Sequence, residues 1–441
     1  MPQTAEPPQN QLSKSQLMAT RNSPIAYGLG SFGLESLYKV FVGFYVFYYI
    51  DELGLAVTMA AIINLIYAIW DALNDPLVGY LSDNTRTRWG RRKPWLLVGL
   101  PFYVGTLVMV YAVPEPFLQG KALFWYALGI FILFEAAYTM MSVNYIALFP
   151  ELFQGARERA RAGPYYQGLG MLGELVGFSI PPFIYAKFGF VPMAISFAGV
   201  AGIALFQAII RNQEDPSALK APPLDLKGAF GEVLKNRRFL SFAIAVTFLT
   251  FVTGVLTLAT PFWVKYTIGA SPQVISLIFA IVFVVAILSA PIWGRFVRIL
   301  GIKRSWLWSI GVMAASAAIL WLASNLVIGA IGAAVAGAGL GGVKVCYVII
   351  VANFVDRDLK RTGHRREGIY FGLLRVLGKL SKVQEALAIV LLGLLFGYVS
   401  GENPGPKPGN AFRFLISVFP LVFTLIAWLI SSRLTFENEH A

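Results

Sequence analysis

Apolar stretches of about 20 residues, the length that spans a bilayer's hydrocarbon core, recur along nearly the whole chain, separated by short polar or Gly/Pro-containing breaks. Twelve helices are predicted, near Ile25–Tyr49, Ala56–Tyr80, Trp95–Val113, Ala122–Phe149, Pro164–Ala186, Val191–Ile210, Phe239–Val264, Val274–Phe296, Ser305–Leu322, Leu326–Val355, Gly368–Val399 and Phe414–Ile430. The solvent for most of the chain is therefore lipid. The first 22 residues carry Pro and Gln without an apolar centre or cleavage site, so they read as a disordered tail and not as a signal peptide.

The pattern repeats at half the chain length. Asp75-Pro76-Leu77-Val78-Gly79-Tyr80-Leu81 and Ala290-Pro291-Ile292-Trp293-Gly294-Arg295-Phe296 are each followed by a basic loop, so the second and eighth helices end alike. Two six-helix halves, 23–211 and 239–433, are expected, joined by a cytoplasmic linker over 212–238 and flanked by tails at 1–22 and 434–441. Glu214-Asp215-Pro216 and Ala221-Pro222-Pro223 mark the linker as non-helical.

Composition sharpens this picture: 57% of the residues are hydrophobic and 13% charged. The formal charge of +13 would suit a nucleic-acid partner, but 23 of the 36 Lys and Arg fall in five alternate loops. Those loops are Asn84–Lys93, Gln154–Arg161, Arg211–Arg238, Arg295–Arg304 and Arg357–Arg366. This is positive-inside patterning, which places both termini in the cytoplasm and explains the charge by anionic lipid headgroups. Cys346 is the only cysteine, and His364 and His440 are the only histidines, so neither a disulfide framework nor a catalytic triad or His-based metal site is expected in the membrane. No phosphate-binding loop follows a strand, and no enzyme chemistry is expected.

Each ionisable group kept in a spanning helix costs about 2.5–3.5 kcal/mol on insertion scales, so each marks a functional position until shown otherwise. The first half carries Glu35, Asp71, Asp75, Glu135 and Glu174 with Lys39; the second carries Lys344, Arg375, Lys379 and Lys382 with Glu385. Asp71 and Asp75 stack one turn apart, with Asn74 on the adjoining edge of that face. Two carboxylates and an amide oxygen suit a small hard cation such as sodium, or a proton. The alternative for Asp75 is capping of the basic loop. Ala286 and Ala290 stand at the corresponding second-half positions, so one cation site is implied.

Arg375, Lys379 and Lys382 form one stripe, which reads either as an inter-half salt-bridge set or as a counter-charge for an anionic substrate or a hydrogen-bond donor to a polar one. Glu35 and Lys39 satisfy each other or contact substrate. Glu135, Tyr138, Thr139 and Ser142 form a polar face expected to line the cavity. Asp83 with Arg86, Arg91 and Arg92, together with the loop Arg295–Arg304, is the expected cytoplasmic gate.

Ile69-Trp70-Asp71-Ala72-Leu73-Asn74-Asp75-Pro76, followed by Thr85-Arg86-Thr87-Arg88-Trp89-Gly90-Arg91-Arg92-Lys93-Pro94-Trp95, closely resembles the glycoside-pentoside-hexuronide:cation symporters, the melibiose permease group. Further likeness lies at Tyr27–Gly33, Tyr138-Thr139, Ala147–Leu152 and Thr362–Gly368, in both halves. The resemblance implies an all-α membrane protein of twelve helices in two pseudo-symmetric bundles, the major facilitator fold. It also implies alternating access in the plasma membrane, with sodium or a proton as coupling cation and no cofactor. By resemblance Asp71, Asn74, Asp75 and Thr139 match cation-site positions, Glu35 a sugar-binding acid, and Lys379 the lysine of the eleventh helix. Ser142, Ile146 and Gln167 stand where the permease has its sugar-binding aspartate, tryptophan and arginine, and Leu34 replaces a lysine.

Phe134-Glu135 and the missing sugar ligands also resemble the lysophospholipid symporters, for which Lys344 and Lys379 would suit a phosphate, so the expected solute is a sugar or glycoside, or alternatively a lysolipid. A sensor or scaffold that binds without transport is the reading from another class. A monomer in the bilayer is expected.

Overall fold

The computed structural model describes residues 22–114, 119–153, 156–214, 233, 235–362, 367–399 and 404–434. The expected N-terminal tail, most of the linker, the loop containing His364 and the C-terminal tail after Leu434 lie outside the described residues.

Among the described residues the chain forms twelve long helices: α1 (Pro24–Phe47), α2 (Val57–Asn84), α3 (Lys93–Tyr111), α4 (Gly120–Leu152), α5 (Ala156–Ser179, resuming as Pro181–Phe188), α6 (Phe190–Arg211), α7 (Arg237–Trp263), α8 (Pro272–Leu300), α9 (Ile302–Leu322), α10 (Leu326–Thr362), α11 (Glu367–Phe396) and α12 (Pro408–Ser432). Ser23 caps α1 by accepting from the Ala26 N–H at 3.2 Å, and Asn236 caps α7 through the Phe239 N–H at 3.2 Å. Ten of the twelve are long and apolar enough to cross a bilayer. The two that fall short are α1, rich in Gly, Ser and Tyr, and α11, which carries Arg375, Lys379, Lys382 and Glu385.

Several helices outrun their predicted spans at one face of the bundle, α2 to Asn84, α4 to Leu152, α8 to Leu300 and α10 to Thr362. Hydropathy reports only the lipid-facing length, whereas helical hydrogen bonding continues through polar turns beyond it. That face, which carries Asn22 and the end of α6, is called the terminal face below; the opposite one is the far face.

Helix packing repeats with an offset of six. In the first half α1 packs on α5 and α6, α4 on α2 and α3, and α3 on α6; in the second, α7 packs on α11 and α12, α10 on α8 and α9, and α9 on α12. The halves meet through α2 against α11, α5 against α8 and α1 against α7. One continuous apolar core fills the first half and crosses into the second at the far face, where Phe44 meets Phe279 and Phe47 meets Phe262. A separate core around Phe242, Trp306, Cys346 and Tyr370 serves the second half towards the terminal face. The halves are thus fused at the far end and have their own cores at the terminal end.

α1 and α5 approach closely enough for backbone to meet backbone. A Cβ at Gly173 would lie 2.5 Å from the Phe32 carbonyl oxygen, and one at Gly177 would overlap that of Ser36. Gly173→Ala is expected to lower the thermal unfolding midpoint in detergent, the cost of overpacking being about 1–3 kcal/mol. Gly199→Ala, at a helical glycine with open space around it, is the control and should leave the midpoint unchanged.

Candidate functional site

Asp71 lies at mid-height on α2, buried, with Asp75 one turn on. The group between them is Lys379 of α11: its Nζ stands 2.7 Å from Asp71 Oδ1 and 2.7 Å from Asp75 Oδ2, and also donates to the Asp71 carbonyl. Thr139 of α4 donates to Asp75 Oδ1 at 3.2 Å. Asn74 turns its amide towards the Glu135 carbonyl, 3.4 Å away. Of the two readings open for the α11 stripe, Lys379 takes the inter-half pairing. Arg375 has Tyr138, Asp75 and Asp71 as electrostatic neighbours, and Lys382 stands 5.9 Å over the Tyr67 ring. Neither makes an ion pair with another described residue.

The polar face of α4 is placed differently from expectation. Glu135, Thr139 and Ser142 are all at most 2% exposed; Glu135 accepts from the Tyr67 hydroxyl, and Tyr138 stacks on Tyr38 with centroids 4.0 Å apart. None of the four lines either of the two chambers that lie between the halves; α4 turns this face towards α1 and α2. Periodicity shows that residues share a face but not what that face meets.

Two chambers lie between the halves. The lower, of about 490 Å³, is lined by Glu35, Tyr166, Gln167, Ala290 and Val348 among others, of which Gln167 and Val348 are exposed. The upper, of about 310 Å³, reaches towards the far face among Thr253, Thr257, Phe279, Trp263, Lys382 and Glu385. Both are in the size range of small-molecule sites. Glu174 and Lys344 line both chambers. Lys344 Nζ is 2.8 Å from Glu174, and Lys39 Nζ is 3.5 Å from Glu174 and 3.5 Å from Glu35, so a chain of charges separates the chambers and ties α1, α5 and α10. Glu35 and Lys39 do pair, but Glu174, counted among the acids and given no partner from sequence, is the joint between halves.

A second missed group closes the far face. α1 and α7 each end in a π-helical turn, Tyr48–Glu52 and Val264–Ile268. These turns aim Asp51 at Lys265 and Tyr266, both of which bond its carboxylate. The signal was the matched position of two charges at the ends of the first and seventh spans.

At the terminal face Arg92 bonds Asp83 and Ser82, and Arg91 bonds Glu151 at 2.5 Å, while Arg86 is exposed. These partners all belong to the first half. Glu214, at the expected linker's start, accepts from the N–H groups of Arg91 at 2.8 Å and Arg92 at 3.0 Å, and also from Lys93. It thereby satisfies the N-terminus of α3, where the helix dipole favours an anion.

Two six-helix halves joined by buried charge pairs around chambers between them have the architecture of the major facilitator fold. Residues 26–438 match the family described as MFS/sugar transport protein, and the chain belongs to it, as a glycoside-pentoside-hexuronide:cation symporter family member and not an enzyme. An uncharacterized symporter of Synechocystis sp., sll1374, is 24% identical over 91% of each chain. A glucuronide carrier protein homolog of Escherichia coli is 23% identical over 92% of this chain and 90% of its own. The solved nucleoside transporter NupG shares the fold, with a TM-score of 0.67, 15% identity and coverage of 97% of this chain and 100% of its own.

Replacing Asp51 by Asn removes one inter-half ion pair and leaves only half-exposed Lys265 without its partner. At ~1–2 kcal/mol such a loss raises the population in which the far-face contacts are parted roughly 5–30-fold. In a Cys346→Ala background, a Thr260→Cys thiol in the upper chamber should then react correspondingly faster with a reagent added from the far side. Unchanged labelling would mean that the aromatic contacts alone hold this face closed.

Proposed function

We propose that the chain is a cation-coupled symporter of a sugar or glycoside, working by alternating access. The observation that carries this reading is the Lys379 ammonium seated between Asp71 and Asp75 across the two halves. A sodium ion or a proton at these carboxylates competes with Lys379 for the same charge, so loading the cation loosens α2 from α11. Asn74 and Thr139 adjoin the same pair. The halves, with boundaries at 23–211 and 239–433 around the linker 212–238, then rock about the chambers.

With both termini cytoplasmic and the chain in the plasma membrane, the terminal face is the inner one and the lower chamber opens inward. Arg375 and Lys382, without an ion pair among the described residues, are donors for substrate, with Glu35, Gln167 and Lys344 around the lower chamber and Lys39 at the wall of the upper one. Relatives named as symporters and a glucuronide carrier support the solute class and the coupling. Asp83, Arg86, Arg91 and Arg92 belong to the inner gate. A lysolipid is the second reading, favoured by the aromatic upper chamber of Phe178, Phe279 and Phe283. The chain acts as a monomer.

Coupling of about 1–3 kcal/mol means that the cation changes solute affinity roughly 5–150-fold. Thermal stabilisation of purified protein by glycosides, hexuronides and lysophospholipids, with and without sodium at two pH values, is expected to show a glycoside effect that grows with the cation. Asp71→Asn should bring the ratio with and without cation to about one while the protein stays folded. A ratio unchanged in that variant overturns the cation assignment, and stabilisation by lysophospholipid alone moves the substrate to lipid.

A further inference from the structure

Glu385 lies on α11 beyond the ion-pair seam, 8% exposed, and makes no hydrogen bond or ion pair with another described residue. It lines the upper chamber. Its carboxylate presses onto α7 at Gly254, where a Cβ would overlap Oε1, so the missing side chain at 254 is what gives it room. Around that contact α7 presents Thr250, Thr253, Thr257 and Thr260, a helical row along the chamber wall.

Each of these hydroxyl protons is committed to the helix's own backbone: Thr250 to Val246 at 2.9 Å, Thr253 to Thr250 at 2.8 Å, Thr257 to Thr253 at 2.9 Å and Thr260 to Leu256 at 2.6 Å. What remains towards the chamber is oxygen lone pairs. The carboxylate and this row of acceptors form one wall, and Lys382, Lys39 and Lys344 line the same chamber as donors, so the chamber fits a ligand whose several O–H groups both give and accept.

We propose that Glu385 and the α7 threonine row form a polyol subsite, in which the carboxylate accepts from hydroxyl groups of the transported glycoside and sets which sugars enter the upper chamber. This rests on the glycoside reading above and places part of recognition in the second half, away from the Asp71 and Asp75 cluster. Apolar walls from Phe178, Phe279 and Phe283 cover the less polar faces of a pyranose ring.

The test uses purified full-length protein and measures stabilisation by methyl glycosides of glucose, galactose, xylose and glucuronic acid, then by the monodeoxy analogues of whichever binds best. In the wild type, one monodeoxy analogue is expected to bind roughly 10–100-fold more weakly than its parent, the effect of a lost charge-assisted hydrogen bond. In Glu385→Gln the parent should weaken by a similar factor and that analogue should lose no more, so discrimination between the two disappears. The ratio of affinities with and without cation should be retained.

Gly254→Ala keeps the carboxylate but pushes it off α7. It should lose the same discrimination, and it carries the test if Glu385→Gln fails to accumulate. Undiminished discrimination in these variants overturns the subsite, as does a lower melting temperature without any change in discrimination. If no glycoside stabilises the wild type, the glycoside reading itself fails, a result that needs no variant to recognise.

Discussion

Everything at mid-height of this molecule depends on one ammonium group shared by two buried carboxylates. Lys379 belongs to the second half, Asp71 and Asp75 to the first, and their helices α11 and α2 face each other across the bundle. Breaking a buried pair by removing one partner costs about 3–5 kcal/mol, because the charge left behind has no water to turn to. Exchange of one cation for another costs far less, since the carboxylates stay neutralised. The seam is therefore firm against separation and soft against substitution.

The other joints follow the same logic at different depths. First-half acids meet second-half cations at Glu174–Lys344 and, at the far face, at Asp51–Lys265, where Phe47–Phe262 and Phe44–Phe279 add apolar contact. On the terminal side the arginines instead bind acids of their own half, and the second half keeps a separate core. The molecule is tied at its far face and served by two cores at the other, an arrangement that the proposed rocking motion would use by parting the terminal end. The sorting of intramembrane charge by sign between halves is what makes each joint an attraction between halves rather than a bond within one.

Much of this was legible along the chain. The twelve spans and the half-length repeat follow from hydropathy and from Pro76 and Pro291, and the acid pair follows from a four-residue spacing on one helix. Partners across the bundle were not legible, because helical spacing orders residues on one cylinder and says nothing of which cylinder it meets. Lys379 left two readings open until α2 stood opposite it. The α4 face read as cavity lining because it is polar, yet its polarity is absorbed by Tyr67, Asp75 and neighbouring helices. Glu214 appeared as part of a helix-breaking run, whereas its carboxylate closes the N-terminus of α3, a contact from 121 residues away.

The α4 face is engaged in packing in this structure, and the chambers between the halves are lined by other surfaces. The lower chamber is ringed by charges already paired to one another, Glu35 with Lys39 and Glu174 with Lys344, so a ligand there competes with existing bonds. Arg375, Lys382 and Glu385 are different, for they lie along one side of α11 with their capacity unspent among the described residues. Lys379 sits in the middle of that series. Under the proposed coupling, α11 would carry both the group that the cation displaces and the groups offered to substrate, and would connect the two binding events without any intermediary, because moving Lys379 moves Arg375 on one side and Glu385 on the other.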